Sequence, residues 1–281
     1  MMEQCLAKDV DDILVKDVMS TDVVKVKTGD SVEAVGNLLA EKRISGAVVL
    51  DGDNVAGIIS KESFVTGVKY MGTNPLPSYK VRDFMAVGYE SAQADEKLND
   101  LVDRIHLSSK RVERVLVFEQ GRLAGILTQS DIARVFSESA KDCFKVRDLM
   151  QISPVVVYDY TPIKKIINEI TFARDKRVIV MAGVKILGVI TVLDLSLALF
   201  EKLKEYKDRD ALDLITLDDL ITLEPFIVSD VDDAAQAART MVEKRVGGLP
   251  VYNNGLKGII TKNDIVKGYK LFKDGKKRKK T

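Results

Sequence analysis

One seven-residue pattern recurs four times along the chain and constrains the fold more than any other feature. Each copy has a glycine, two aliphatic residues, a hydroxyl side chain and, three positions later, an aspartate or a serine. The copies are 57–63, 125–131, 188–194 and 258–264, and their glycines lie 68, 63 and 70 positions apart. A near-regular spacing of this size predicts four copies of one structural unit.

The pattern has the composition of a buried strand that turns directly into a helix. Two aliphatic residues end the strand, and the serine or threonine that follows suits the N-cap, where a side-chain oxygen accepts a hydrogen bond from a free backbone amide. An acid at the third helical position completes a capping box and favours the positive end of the helix dipole. Free amides, a hydroxyl and a carboxylate also suit a phosphorylated ribose. Helix capping and ligand binding are therefore both open interpretations of the motif.

A five-residue lead segment opens each repeat. In the first three repeats, at 15–19, 81–85 and 146–150, it reads valine, basic residue, aspartate, hydrophobic residue, methionine; the fourth lead segment, 217–221, is divergent. Between lead segment and motif the sequence predicts a strand, an amphipathic helix and a second strand, since apolar residues recur at helical spacing. Each repeat is thus strand-helix-strand-strand-helix. Such an α/β (α+β) unit is too small to cover its own sheet and needs a partner.

Linker composition predicts that neighbouring repeats pack as two tandem pairs. The stretch 69–80 carries a glycine and two prolines, 137–145 is short and polar, and 201–213 is charged. Breaks of this kind typically separate domains. The expected domains are 13–136, made of repeats 13–70 and 79–136, and 145–270, made of repeats 145–202 and 214–270.

Composition places the chain among ordinary globular proteins. Of its 281 residues 46% are hydrophobic, and the formal net charge is +1. We find no run approaching the roughly 20 apolar residues that a membrane helix needs, and residues 1–12 are acidic rather than a basic leader. Cys5 and Cys143 make no metal-binding pattern, so a reducing compartment is the simpler assumption. We therefore expect a cytoplasmic protein without a membrane partner.

The end of the chain is strongly basic. Residues 270–281 carry seven basic side chains against the single acid Asp274. A charge run of this kind at a terminus is typical of an unfolded segment, so we predict a disordered tail at 271–281. A solubilising tail is the simpler interpretation, and an arm that binds nucleic acid or another acidic partner is the alternative.

Lead segment, second strand and motif together resemble the cystathionine-β-synthase (CBS) domain family. The second strand matches best at 245–251, Arg-Val-Gly-Gly-Leu-Pro-Val, and the resemblance covers nearly the whole chain. It implies CBS repeats paired into Bateman modules, as in the gamma subunit of AMP-activated protein kinase and in stand-alone microbial proteins. It further implies a sensor or regulatory protein that binds AMP, ADP or ATP, or less often S-adenosylmethionine, in clefts between paired repeats.

The resemblance also implies which residues hold the nucleotide. In the family the motif acid binds the ribose hydroxyls, the motif hydroxyl and nearby basic groups face the phosphates, and the adenine lies between hydrophobic residues of the sister repeat. The chemistry is sound, because one carboxylate can accept both cis-diol hydrogens. The first implied site comprises Thr128, Ser130 and Asp131 with Val24, Ile44 and Ser45; the second Thr191 and Asp194 with Phe226, Val246 and Gly247; the third Thr261, Asn263 and Asp264 with Val155 and Val178.

Repeats 1 and 3 depart from the family pattern. Ser63 replaces the motif acid in repeat 1, and its adenine wall would include the charged Glu90. A basic pair precedes or opens the second strand of each repeat: Lys42-Arg43, Lys110-Arg111, Lys176-Arg177 and Lys244-Arg245. In repeat 3 the motif glycine follows the arginine of this pair by 11 positions, against 14 in repeats 1 and 2. This difference predicts a shorter second hairpin. We expect the cleft of Ser63 to be weak or empty, and the site of Asp264 to be less secure than that of Asp131.

The sequence contains no recognisable catalytic set. Its one histidine, His106, falls in a predicted helix, and we find no phosphate-binding loop, nucleophile elbow or metal-ligand cluster. The sequence therefore favours a protein without catalytic residues, catalytic cofactor or metal; a nucleotidase has no residues to support it. A scaffold or nucleic-acid-associated protein that uses the basic tail is the alternative from another class. The expected partners are an adenine nucleotide and a regulated protein that the sequence does not identify. A homodimer with a second copy of the chain is also possible.

Overall fold

A computed structural model confirms the mixed α/β fold built from four repeats. It describes residues 10–42, 44–60, 63, 67, 78–107, 112–173, 176–205 and 213–280, with the side chains at 106, 107, 204, 205 and 276–280 left aside. Cys5 and the closing Thr281 lie outside these residues, as do parts of the predicted linkers.

The first two repeats have the same succession of elements. Each begins with a one-turn helix in its lead segment, followed by a strand, a helix and a two-stranded hairpin; in repeat 2 a further helix follows the hairpin. The elements are α1 (Val15–Val18), β1 (Lys25–Lys27), α2 (Val32–Glu41), β2 (Gly46–Asp51), β3 (Asn54–Ser60), α3 (Val81–Phe84), β4 (Glu90–Gln93), α4 (Leu98–Leu107), β5 (Arg114–Glu119), β6 (Arg122–Thr128) and α5 (Gln129–Ser139).

Repeats 3 and 4 follow the same plan. The elements are α6 (Val146–Leu149), β7 (Val156–Tyr158), α7 (Ile163–Phe172), β8 (Arg177–Ala182), β9 (Lys185–Thr191), α8 (Val192–Glu205), α9 (Leu217–Leu220), β10 (Thr222–Leu223), α10 (Ala234–Glu243), β11 (Gly248–Tyr252), β12 (Leu256–Thr261) and α11 (Lys262–Lys280).

The sheets share one topology. In repeats 1 to 3 the first strand runs parallel to the second, and the second and third form an antiparallel hairpin. In repeat 4 the parallel partner is reduced to the single bridge between Val228 and Val251, beside the hairpin of β11 and β12. A parallel pair needs a crossover, which the intervening helix supplies in each repeat.

The second hairpin of repeat 3 is not shortened, so that prediction was wrong. Arg177 pairs with Thr191 in the register in which Arg114 pairs with Thr128, and both hairpins join six-residue and seven-residue strands. The register counterpart of Arg177 is therefore Arg114, not a residue of the Lys110-Arg111 pair. Nor is the chain shorter before β8: residues 173–176 separate α7 from β8 in repeat 3, as residues 42–45 separate α2 from β2 in repeat 1, so only the position of the arginine differs.

Neighbouring repeats exchange their lead segments. After the first lead segment, Ser20 forms two backbone hydrogen bonds of 2.9 Å with Ile126 of repeat 2, and after the second, Ala86 forms the same pair of bonds with Ile58 of repeat 1. The second half repeats this arrangement: residue 151 bridges to 259 of repeat 4, and residue 222 pairs with 189 of repeat 3. The exchange ties repeats 1 and 2, and repeats 3 and 4, into tandem pairs.

This exchange explains the glycine of the motif. A Cβ on Gly57 would overlap the carbonyl oxygen of Ala86, and one on Gly258 would overlap that of Gln151. At Gly125 a Cβ would lie 2.8 Å from the carbonyl oxygen of Ser20. The chain leaving the sister repeat's lead segment thus passes so close to the hairpin that only a residue without a Cβ fits.

One compact unit comprises Met1–Asp22, Glu90–Pro154 and Phe226–Thr281. It contains the hairpins of repeats 2 and 4 together with the lead segments of repeats 1 and 3. Helix α5 of repeat 2 packs against α10 and α11 of repeat 4, and a continuous apolar core runs through both repeats, with Phe136, Tyr269 and Phe272 fully buried.

The other compact unit comprises Val23–Tyr89 and Val155–Pro225. It contains the hairpins of repeats 1 and 3 with the lead segments of repeats 2 and 4. Repeat 1 packs its core around Val32, Leu39 and Ile59, and Phe200 of repeat 3 joins that core. Both units combine parts of two tandem pairs, so the domain limits 13–136 and 145–270 stay predictions.

The prediction of a disordered tail at 271–281 is wrong for residues 271–280. Helix α11 runs from Lys262 to Lys280 without a break. Its apolar side chains at helical spacing anchor it, because Tyr269 and Phe272 are fully buried, and the aliphatic stem of Lys273 is buried with them. Lysine and arginine are good helix formers and suit a helix C-terminus, so the basic run continues the helix.

Two further expectations can be compared with the structure. Cys143 is buried and disulfide-bonded, which the assumption of a reducing compartment did not predict. Across the described ranges, no helix has the length and apolar character to cross a bilayer.

Candidate functional site

The motif of repeat 2 forms a capping box at the start of α5. The backbone amide and the hydroxyl of Thr128 both donate to Oδ2 of Asp131, each over 2.8 Å, and the amide of Ser130 donates to the Thr128 hydroxyl over 3.2 Å. These bonds satisfy amides that the first helical turn leaves without partners. The acid therefore has a structural role before any ligand is considered.

The other three motifs cap in the same way. Thr191 donates to Asp194 from its amide (2.7 Å) and its hydroxyl (2.6 Å), and the motif of repeat 4 follows at 261 and 264 with 3.0 and 2.6 Å. In repeat 1 the amide of Ser60 donates to the hydroxyl of Ser63 over 3.0 Å, so serine replaces the carboxylate. Helix capping, the simpler interpretation of the motif, is confirmed in repeats 2, 3 and 4; in repeat 1 the corresponding bond is formed, but most of the residues that follow Ser60 lie outside those that the structure describes.

The aspartates of the lead segments are also capping acids. Each accepts a hydrogen bond from the backbone amide three residues before it, over 2.8 to 2.9 Å. These four aspartates are Asp17, Asp83, Asp148 and Asp219. They supply internal controls, because they accept the same backbone-amide bond as the motif acids while no ligand role is predicted for them. Asp219 also accepts the hydroxyl bond, from Thr216 over 2.9 Å.

Asp131 keeps capacity for further hydrogen bonds. Its side chain is 17% exposed, and Oδ1 lies 3.6 Å from the guanidinium of Arg134, one turn along α5. Arg134 also donates to the carbonyl oxygen of Val18 in α1 over 2.9 Å. A carboxylate has about four acceptor positions, and two are used by Thr128.

Asp264 is in a different state. Its side chain is 2% exposed. In addition to the two bonds from Thr261, Oδ2 accepts one from the side-chain amide (Nε2) of Gln151 over 3.0 Å. Oδ1 accepts one from the ammonium of Lys267 over 3.0 Å. About four bonds are what a carboxylate can accept. Asp264 is buried and saturated.

Ser130, within the motif of repeat 2, lies beside a lysine of repeat 4. Nζ of Lys262, the first residue of α11, donates to Oγ of Ser130 over 2.8 Å. Lys262 also donates its backbone amide to the carbonyl oxygen of Gly247 over 3.1 Å. Asn263 follows at the second position of α11 and is half-buried. A hydroxyl, an ammonium group and the start of α5 thus meet at one place.

Each of the three predicted sites draws on both compact units, so the adenine-wall residues are described within their own unit. Val24 and Ile44 are partly buried and pack against the core of repeat 1, and Ser45 is exposed. In the other unit Val246 is partly buried, and Phe226 is 44% exposed with Nζ of Lys244 5.3 Å from its ring centroid.

The two predicted wall residues of the third site differ in burial. Val155 is partly buried, but Val178 is 1% exposed and lies inside the core of repeat 3. By hairpin register Val178 corresponds to Ala47 and Val115, which are buried strand residues as well. The register therefore separates Val178 from Ile44 and Val246, the wall residues named for the other two sites, and its role as a wall residue stays a prediction.

Glu90 has a cationic neighbour. Its carboxylate lies 3.7 Å from the guanidinium of Arg104, which also donates to the backbone carbonyl of Ser91 (2.9 Å) and to Glu96 (3.0 Å). The charge that we expected to disfavour adenine is therefore partly neutralised by Arg104.

Sequence reasoning missed Gln151, Arg134 and Lys267. The last two follow their motif acids by three positions, a spacing that places side chains on one helix face and could have revealed them. Gln151 could not have been found, because it precedes Asp264 by 113 residues and only the exchange of lead segments brings the two together. Within the described part of the chain, no group of three His, Cys, Asp or Glu could hold a metal ion.

Comparisons with known proteins agree with the repeat structure. The profile of the CBS domain matches residues 15–69, 81–138, 146–201 and 214–270. The crystal structure of a Methanocaldococcus jannaschii protein, described as a proposed archaeal homolog of γ-AMPK, superposes with a TM-score of 0.77 at 18% identity, covering 92% of this chain and 100% of that one. An uncharacterized Pyrococcus horikoshii protein gives a TM-score of 0.61 at 17% identity with the same coverages. At this low sequence identity, the two structural similarities show a shared fold and nothing more.

Two curated relatives are similar in sequence. An A-adding tRNA nucleotidyltransferase of Geobacter sulfurreducens is 28% identical over 134 residues, which is 47% of this chain and 14% of that protein. An uncharacterized Methanocaldococcus jannaschii protein is 26% identical over 273 residues, 93% of this chain and 63% of that protein. The chain spans less than two thirds of the length of either relative.

Proposed function

Because the chain belongs to the CBS-domain family, with four CBS domains over most of its length, we propose that it is a regulatory protein that binds an adenine nucleotide, AMP, ADP or ATP, without turning it over. The neighbour described as a proposed homolog of γ-AMPK supports this direction. No catalytic residue, catalytic cofactor or metal has a part in the proposal.

The observation that carries the proposal is the environment of Asp131. Its carboxylate is partly exposed and has acceptor positions beyond those used for capping, whereas Asp264 is saturated. Lys262 and Ser130, 2.8 Å apart, lie at the start of the same helix. A nucleotide needs both an acceptor for its ribose hydroxyls and donors for its phosphate.

In this proposal each residue has a distinct role. The ribose hydroxyls donate to Asp131, while the ammonium of Lys262, the hydroxyl of Ser130 and the amides at the start of α5 face the phosphate. The wall carried over from the family is Val24, Ile44 and Ser45. Hydrogen bonds to a charged group contribute about 1.5–3 kcal/mol each, so the carboxylate of Asp131 and the ammonium of Lys262 should contribute most to affinity among these groups.

A second nucleotide position is proposed at the motif of repeat 3. Thr191 and Asp194 have the same capping geometry as the motif of repeat 2. Phe226, Val246 and Gly247 are the wall carried over from the family. Binding at either site would change the relation between repeats, and a partner protein that favours one arrangement would respond through a population shift.

Thermal unfolding in the presence of ligands tests the function. We expect stabilisation by AMP, ADP or ATP, of about 2.7 kcal/mol when the free ligand is at a hundred times its dissociation constant. S-adenosylmethionine and single-stranded RNA belong in the same screen. A response to S-adenosylmethionine alone would favour the alternative ligand of the family, and a response to RNA alone would favour the nucleic-acid-associated scaffold.

A pair of variants separates ligand binding from helix capping. Asp131→Asn should abolish much of the nucleotide response, whereas Asp148→Asn, which removes a capping acid with the same 2.8 Å bond, should leave it intact. Both should lower the unfolding temperature of the free protein. Equal nucleotide affinity in the two variants would show that Asp131 is only a cap, and phosphate release that one substitution abolishes would show an enzyme.

A further inference from the structure

The exchange of lead segments places one residue at the same point against each motif. The residue that directly follows each lead segment forms a backbone bridge to a strand residue that precedes the motif acid or serine by five positions. Ser20, Ala86, Gln151 and Thr222 occupy this place, against the motifs of repeats 2, 1, 4 and 3 respectively. We call it the bridge position.

Gln151 is the longest of these four side chains, and it reaches the motif acid. Its backbone makes two bonds of 2.9 Å with Ile259, as Ser20 does with Ile126. From there Nε2 donates to Oδ2 of Asp264 over 3.0 Å. Ala86 has no polar group, and serine or threonine is about two bonds shorter than glutamine, so the reach of Gln151 distinguishes repeat 4.

This amide takes the place that a ribose hydroxyl would need. A hydroxyl and an amide N–H are both neutral donors, and both satisfy a carboxylate oxygen. With Thr261 and Lys267 supplying the other bonds, Asp264 has its full set of about four. Three of these bonds are made to Oδ2 and one to Oδ1, so a nucleotide that donates both ribose hydroxyls to this carboxylate would have to displace a bond that is already made inside the protein.

We propose that the bridge position decides which motif acid is open to nucleotide, and that Gln151 closes the site of Asp264 from within the chain. The proposal rests on the proposed nucleotide function for its consequence in binding. Asp131, opposite the short side chain of Ser20, remains open. The two motifs within one compact unit thus differ in their bridge residue, in addition to the closer cation at Asp264, where Lys267 lies at 3.0 Å against 3.6 Å for Arg134 at Asp131.

Reciprocal variants of the full chain test it. Gln151→Ser gives repeat 4 the bridge residue of repeat 2 and should add one nucleotide equivalent in a calorimetric titration with AMP. Ser20→Gln gives repeat 2 the bridge residue of repeat 4 and should weaken binding at Asp131 by at least about tenfold, which is about 1.4 kcal/mol. Gln151→Met keeps the length of the side chain but removes the donor. It serves as a second variant in case Gln151→Ser, with its shorter side chain, does not fold.

A second readout does not depend on any nucleotide. Carbodiimide coupling of carboxylates to an amine, followed by peptide mass spectrometry, should label Asp131 but not Asp264 in the wild-type chain. Gln151→Ser should make Asp264 reactive, and Ser20→Gln should protect Asp131. Wild-type labelling of Asp264 equal to that of Asp131, or labelling unchanged by both variants, would overturn the closure by Gln151.

The two readouts separate the two proposals. If labelling confirms the closure but no variant binds AMP, the nucleotide function is wrong and the role of the bridge position is still supported. AMP binding to the wild-type chain with the same stoichiometry in Gln151→Ser and unchanged affinity in Ser20→Gln would leave the function standing and overturn the bridge proposal.

Discussion

The ammonium of Lys273, which has no solvent exposure, lies 2.6 Å from the carboxylate of Asp103, 170 residues earlier in the chain. This ion pair connects helix α11 to helix α4 of repeat 2. Burial lowers the pKa of Lys273, but hydrogen bonds and charges from Asp103 and Asp274 raise it by more, so the net pKa is above its ordinary value. The lysine therefore stays charged, and its buried charge is stabilised by these two carboxylates.

Removing Asp103 should therefore destabilise the fold. Asp103→Ala leaves a buried ammonium with Asp274 as its remaining carboxylate partner among the bonds shown, and we expect a loss of about 1–3 kcal/mol, since Asp103 itself is partly exposed. Asp100→Ala, an exposed acid on the same helix, is the matched control and should change stability by less than about 0.5 kcal/mol. Urea unfolding of both variants gives the comparison, and equal losses would contradict the role of the pair.

Alkaline pH should weaken the same helix through Tyr269. Its hydroxyl donates to Asn99 over 2.9 Å, and burial, with a smaller contribution from the charge of Asp11, raises its pKa above the ordinary value of 10.0. The folded state keeps the proton where the unfolded chain releases it, so this contribution is complete below pH 10.0 and is lost as the pH rises further.

The variant Tyr269→Phe checks this dependence. At neutral pH it should lose about 0.5–1.5 kcal/mol with the hydrogen bond to Asn99. Above pH 10.0 its stability should fall less steeply than that of the wild-type chain. Parallel slopes in the two proteins, measured by unfolding at several alkaline pH values, would show that another group governs the alkaline transition.

The repeat and its elements could be predicted from the sequence because they depend on local patterns. Motif, lead segment and amphipathic helices recur at a near-regular spacing, and the capping role of Asp131 follows from its distance to Thr128. The exchange of lead segments could not be predicted, since a one-turn helix such as Val15–Val18 carries no signal for which sheet it joins. Without it neither the motif glycine nor Gln151 could be understood.

Two of the errors have physical causes as well. Charge counting indicated an unfolded tail, but the buried Tyr269 and Phe272 outweigh the repulsion of the basic residues beside them. Basic pairs were used to align the second strands, whereas the hairpin register shows that Arg177 corresponds to Arg114. Surface charges are weakly constrained by packing, so they align repeats less reliably than buried strand residues.

The motif glycines should tolerate no side chain. Gly258→Ala would force its Cβ into the carbonyl oxygen of Gln151, and Gly125→Ala would press against that of Ser20. Because the obstacle is backbone, we expect each to lose about 1–3 kcal/mol or more. Gly88→Ala has nothing within 4 Å and should be close to neutral. Thermal unfolding of the three variants tests this expectation. If Gly258→Ala leaves the stability unchanged, the close approach of the backbone at Gln151 is contradicted.

Repeat 1 offers the converse experiment, in which a missing acid is restored. Ser63 accepts from the amide of Ser60 over 3.0 Å, but its hydroxyl is neutral. Ser63→Asp should strengthen the cap and gain about 0.5–1 kcal/mol, because a carboxylate suits the positive end of a helix. Its bridge residue, Ala86, has no donor with which to saturate the new acid.

Ser63→Asp should consequently also bind AMP more tightly at repeat 1 than the wild-type chain does. A neutral hydroxyl lacks the charge-assisted bonds of a carboxylate, a difference of about 1–2 kcal/mol or roughly tenfold in affinity. The titration is cleanest with Asp131→Asn in the background, where the competing site of repeat 2 is removed. A gain in stability with no gain in AMP binding would mean that the acid at this position serves the helix alone; AMP that fills the Ser63 cleft of the wild-type chain before that of Asp131 would reverse the proposed order of the two sites.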